Sequence, residues 1–159
     1  MTKLSMQQLE KTYVEANEII KYAHLKGIDS TRYRAVGCIK SGLVLIASDN
    51  NKLRATIDSK SLNLSKINNY LIKIKNNSMT MISAAFSIEK EDSYLAEILT
   101  SLNMRLFKLA ELINSPGNKS RAEIRERWIS INETVLTLLS EKEKVDSMFL
   151  IEKNQIQAI

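Results

Sequence analysis

The sequence is poor both in the residues that punctuate chains and in those that do chemistry. It holds one proline and four glycines in 159 residues. Sheet-rich folds turn often and draw on these two residues for their special backbone angles, so their scarcity favours a few long helices joined by few connections. A single cysteine, Cys38, rules out an intrachain disulfide and points to a reducing compartment. One histidine, His24, and one cysteine are too few for a histidine- or thiolate-rich zinc site. The longest unbroken apolar run, Leu43 to Ala47, is far shorter than the ~20 residues that a bilayer-spanning helix needs. The opening residues, MTKLSMQQLEKTY, lack the apolar segment of a signal peptide. The expectation is a soluble, cytoplasmic protein without a transmembrane segment. Enrichment in Asn, Ile, Lys and Ser suits an AT-rich bacterial, plasmid or phage gene.

What the sequence does have is apolar residues at alternating steps of three and four. Met6, Leu9, Tyr13, Ala16, Ile20 and Ala23 form one stripe. Leu64, Ile67, Leu71, Ile74, Ser78, Met81, Ala85 and Ile88 form a second, polar only at Ser78. Leu95, Ile98, Leu102, Leu106, Leu109 and Ile113 make a third. Ile124, Trp128, Ile131, Val135, Leu138, Val145 and Phe149 make the last, with Lys142 in a vacant slot. Such spacing lays one apolar seam along each helix, and the seam must be buried against neighbours. Ser5 with Gln8 and Ser120 with Glu123 are capping-box pairs. Gly27 closes the first helix, and Ser115-Pro116-Gly117-Asn118 is the clearest turn. The pattern predicts helices near 5–26, 31–48, 60–88, 93–114 and 120–153, the last roughly 50 Å long at about 1.5 Å per residue. The fold class is therefore all-α: a single domain over 1–159, a bundle of about five helices with 120–153 as a long C-terminal helix. The alternative is α+β with a central hairpin, because Ile72-Lys73-Ile74-Lys75 alternates with period two within 70–82 and Leu43–Ala47 would suit a buried strand.

No cluster of these residues resembles an active site. His24 lies beside Lys21 and Tyr22 and reads as a surface residue rather than a general base. Cys38 among Val36, Gly37 and Ile39 reads as a small apolar residue. Gly37 and Gly42 have the glycine spacing of a phosphate loop, but Leu43-Val44 stands where Lys-Ser/Thr would have to follow. The carboxylate pairs Glu91-Asp92 and Glu141-Glu143 read as solvated charges. Glu123 and Arg127 are placed for a helix-surface ion pair, and Trp128 falls on the core seam. No enzyme activity, metal, cofactor or small-molecule substrate is expected.

Charge is more informative. Residues 31–88 carry nine basic side chains against two acidic ones, net +7, while 1–30 are neutral and 89–159 carry net −2. A localised positive surface is how a chain meets phosphate, acidic lipid or an acidic partner. Two functions follow as expectations. The first is a non-enzymatic regulatory or adaptor protein that recognises a partner protein, or a second copy of itself, through helical surfaces. Its interface would lie on the final helix at Val145, Met148, Phe149 and Ile151. The alternative is a DNA-binding regulator in which 52–75 acts as a helix-turn-helix-like element, with Lys52, Arg54, Lys60, Lys66, Asn68, Asn69, Lys73 and Lys75 meeting phosphates and base edges.

Overall fold

The computed structural model describes residues 3–88 and 93–159. Six helices follow one another: α1 (Lys3–Lys26), α2 (Thr31–Asp58), α3 (Leu64–Ile88), α4 (Tyr94–Asn114), α5 (Arg121–Leu139) and α6 (Lys142–Gln157). There is no strand among the described residues. The segment 43–47 lies in the middle of α2, and 70–82 lies within α3, so the hairpin alternative is not formed. Helices α2 to α5 pack in a ring, each on the next, with α5 closing back on α2. Helix α6 continues along α2, and α1 rests more lightly on α2 and α6. The fold is an all-α bundle, and the long C-terminal helix is present but bent.

The bend has a legible cause. Residues Ser140 and Glu141 keep right-handed helical angles while the regular helix pauses between Leu139 and Lys142. This is where the apolar stripe skips a step, with exposed Lys142 in the vacant slot. Bending re-aims the chain so that Val145 and Phe149 reach the core. There the Phe149 ring stacks on Tyr33 of α2 at 4.7 Å and 16°. Arg32 and Glu152 then clasp the end of α6 through a 2.5 Å ion pair.

The predicted seams of α3, α4 and α5 are the buried ones. Ser78, the polar exception, is fully buried and donates its hydroxyl to the Leu99 carbonyl at 3.3 Å, so its burial is compensated. The first seam is shallower: Leu9 and Ala23 are buried, but Tyr13 is exposed. The side chains of Ser5 and Met6, and the Glu91-Asp92 pair, lie outside the described residues. Ser120 caps as expected, accepting from the backbone amide of Glu123, and Ser93 likewise accepts from that of Ala96. Gly27 and Gly117 take φ of 67° and 93°, a left-handed region that glycine enters without a side-chain clash.

Helix α2 runs ten residues past the predicted end, through Asp49-Asn50-Asn51. A polar triplet reads as a helix end in isolation. In the fold, Asn50 accepts from Trp128 Nε1 at 2.9 Å and donates to Asn132 Oδ1 at 2.9 Å. Partners on α5 thus satisfy a side chain that would otherwise stop the helix. The connection to α3 starts only after Asp58. It is held by Arg121, which donates to the carbonyls of Ile57, Ser59 and Lys60.

Gly37 and Gly42 sit inside α2 and serve packing. A methyl group at Gly42 would overlap the Met81 side chain of α3, and one at Gly37 would come within 3.3 Å of the Phe149 ring. Their phosphate-loop spacing marks two close approaches of helices instead.

Candidate functional site

The eight residues of the basic segment do not form one surface. Lys52 and Arg54 lie in the last two turns of the 28-residue α2, and Lys60 lies in the 59–63 connection. Lys66, Asn68, Asn69, Lys73 and Lys75 belong to α3. Helix α3 returns alongside α2, since Met81 lies against Gly42 far from the turn. A helix-turn-helix needs a three- or four-residue turn and helices crossing at roughly 90–120°. Here two helices of 28 and 25 residues lie side by side, so no short recognition helix projects. The spacing of Ser61–Leu71 resembled such a turn because turns of either geometry draw on the same Ser- and Asn-rich residues.

Helical phase then sorts the side chains. Lys52 and Lys66 line one cleft with Tyr70, Thr56, Ser59 and Ser61. The Lys73 ammonium stands 5.5 Å from the centroid of the Tyr70 ring, which brings it to the same side. Lys75 and half-buried Asn68 follow the opposite, α4-facing side of α3, by their spacing from Met79. Asn69 and Lys60 are exposed. Arg54 leaves the group altogether: it lies over the Trp128 ring and reaches Asp58 at 3.9 Å, a carboxylate that Arg125 also holds at 2.7 Å. Lys52, Lys66 and Lys73 have no acidic partner among the described residues. Asp49, buried in α2, lies close enough to feel Lys52 and Lys73. Burial pushes its carboxyl above the ordinary value, while the two lysines pull it back down.

The residues expected to form the partner seam are also divided. Val145 and Phe149 are core residues, and Met148 is half-buried against the core. Ile151 alone of the four is exposed, beside exposed Leu150. The bend turns the C-terminal seam onto α2, so it is consumed by the fold.

A larger exposed apolar face lies elsewhere. Ile72, Met79 and Phe86 recur every seven residues along α3 and are 47%, 51% and 49% exposed. Asn103 of α4 donates to the Met79 sulfur at 3.2 Å, which fixes that line of α3 beside α4. One turn on from Asn103 stands Phe107, with Met104 on the same outer surface; they are 65% and 60% exposed. Helix α3 contains Lys66, Lys73 and Lys75 and no acidic residue. Five large apolar side chains thus border a wholly basic helix. Sequence periodicity marked the core-facing residues of α3 and α4; the step of seven at 72, 79 and 86 was the available trace of this second line.

Elsewhere the chemistry is sparse. His24 is exposed on α1. Cys38 is half-buried, and burial raises its thiol above the ordinary value, away from thiolate. Half-buried Glu141 lies in the bend and exposed Glu143 just after it. Arg127 donates to the Lys108 carbonyl at 2.7 Å instead of pairing with Glu123. No three His, Cys, Asp or Glu side chains come together as metal ligands among the described residues. No helix among them is long and apolar enough to cross a membrane. Comparison with family models, curated proteins and solved structures finds no match to this chain.

Proposed function

We propose that the protein is a non-enzymatic adaptor or regulatory protein that binds a partner protein on the outer face of α3 and α4. The observation that carries this reading is the exposure of Ile72, Met79, Phe86, Met104 and Phe107 together on one side of the bundle. Single exposed apolar residues are ordinary, but a contiguous group of this kind is a mark of interaction surfaces. The i, i+7 spacing on α3 offers anchors for an amphipathic helix laid along the α3–α4 groove. Of the lysines of α3 only Lys75 lies on this side, so the complementary partner is an amphipathic helix with a carboxylate placed to meet it.

The DNA-binding alternative draws less support from the geometry. Its bases-and-phosphates set is split between two sides of α3, and Arg54 is occupied by Asp58 and Trp128.

The test is the double substitution Ile72→Asp with Phe107→Asp, compared with wild type by in-cell crosslinking and mass spectrometry. Both side chains are exposed, so helical content and melting should stay near wild type. The reading expects one or more protein partners crosslinked to wild type to be lost from the variant. An unchanged crosslinking pattern from a folded variant would remove the α3–α4 face as the docking site.

A further inference from the structure

We propose that the cleft between the C-terminal end of α2 and the N-terminal half of α3 binds a small phosphorylated ligand, held by Lys52, Lys66 and Lys73. The cleft is open to solvent and offers about 380 Å³, within the roughly 300–1,000 Å³ common for small-molecule sites. Lys52 enters it from one helix, and Lys66 from the other. Lys73 approaches over the Tyr70 ring, which itself forms part of the wall. None of the three ammonium groups lies within ion-pair distance of a carboxylate among the described residues. Asp49, only 9% exposed, lies close enough to Lys52 and Lys73 to feel both.

Three positive charges against one negative leave an excess that a phosphomonoester, at about −1.5 to −2, nearly balances. The neighbouring hydroxyls do not compete for this role. Thr56 donates to the Lys52 carbonyl and Ser59 to the Thr56 carbonyl, both at 2.8 Å. The lysines are the charged donors of the cleft, and phosphate is an acceptor that suits them. A compact ligand is favoured over a nucleic-acid duplex. A backbone-tracking surface needs its cations spread along a path, whereas Lys52 and Lys66 share one concavity, Lys73 stands at its Tyr70 wall, and Lys75 and Arg54 point elsewhere.

The experiment is amide NMR titration of the full chain with adenosine 5′-monophosphate, using adenosine as the phosphate-free control and duplex DNA as the polymer control. Saturable shifts around residues 52–73 are expected with the monophosphate and not with adenosine. Lys66→Ala and Lys73→Ala should each weaken binding about tenfold, as the loss of one charge-assisted contact does. Lys75→Ala, on the other side of α3, should change nothing. Asp49→Asn removes the opposing charge and should tighten binding several-fold, an effect that a merely structural role for Asp49 would not produce. Absence of phosphate-dependent shifts at millimolar ligand would overturn the proposal. So would equal weakening by Lys75→Ala, or duplex DNA binding more tightly through Lys75 and Arg54 as well.

Discussion

Replacing Asn50 by Ala tests how the polar centre of the bundle is held together. Asn50 is 3% exposed and joins α2 to α5 by accepting from Trp128 Nε1 and donating to Asn132 Oδ1, both at 2.9 Å. Alanine removes both contacts at once. Asn132 is half-buried and can turn to water, but the indole N–H belongs to a buried residue and is left without an acceptor. A buried donor stranded in this way costs about 1–3 kcal/mol. The vacated amide volume adds to that loss through missing packing contacts. Against it stands the better helix propensity of Ala, at most about 0.7 kcal/mol. The expected net loss is about 1–3 kcal/mol, which lowers the melting temperature by roughly 2–12 °C in a chain of this length. Asn51→Ala is the control, because Asn51 is exposed one position further along the same helix and reports propensity alone. Far-UV circular dichroism follows the helices, while fluorescence of Trp128, the only tryptophan, follows the site itself. The reasoning fails if Asn50→Ala melts with Asn51→Ala and the Trp128 emission is unmoved.

The core position of the C-terminal helix makes two further predictions. Phe149→Ala should cost roughly 3–5 kcal/mol in urea denaturation, the usual range for emptying a buried aromatic site, and a loss under 1 kcal/mol would mean that α6 is not part of the core. Truncation after Ser140 should accordingly unfold the chain rather than release a folded bundle without its tail, which a cooperative melt of the shortened protein would contradict. Asp49 supplies a pH signature. Its folded-state carboxyl lies above the ordinary value because of burial, so its ionised form destabilises the fold at neutral pH. Asp49→Asn should therefore stabilise the protein at pH 7, with a gain that shrinks as pH falls through the raised value and vanishes below the ordinary one. Melting curves of the two proteins that stay parallel from pH 7 to pH 3 would show that the carboxylate is not strained by burial.

The helices and most of what they bury follow from apolar spacing along the chain. A repeat of three and four leaves a chain little choice once water must be excluded, so Ile67, Leu102 and Ile131 were legible as core from spacing alone. Local chemistry also sufficed for ends that are made locally, as at Ser120, Gly27 and Gly117, where a side chain or a permitted backbone angle acts within its own turn. Tertiary structure decided whatever depends on a partner distant in the chain. Helix α2 passes through Asp49-Asn50-Asn51 because Trp128 and Asn132 wait on α5, and no window around residue 50 contains them. The two candidate surfaces were hidden for the same reason. Lys52 and Lys73 are 21 positions apart in sequence and both act on Asp49 only because α3 folds back on α2. Val145 and Phe149 read as a spare seam from spacing alone, but past the bend at Ser140 and Glu141 both are buried, Phe149 against Tyr33. Periodicity tells which face of a helix is apolar, but only packing decides whether that face is already covered.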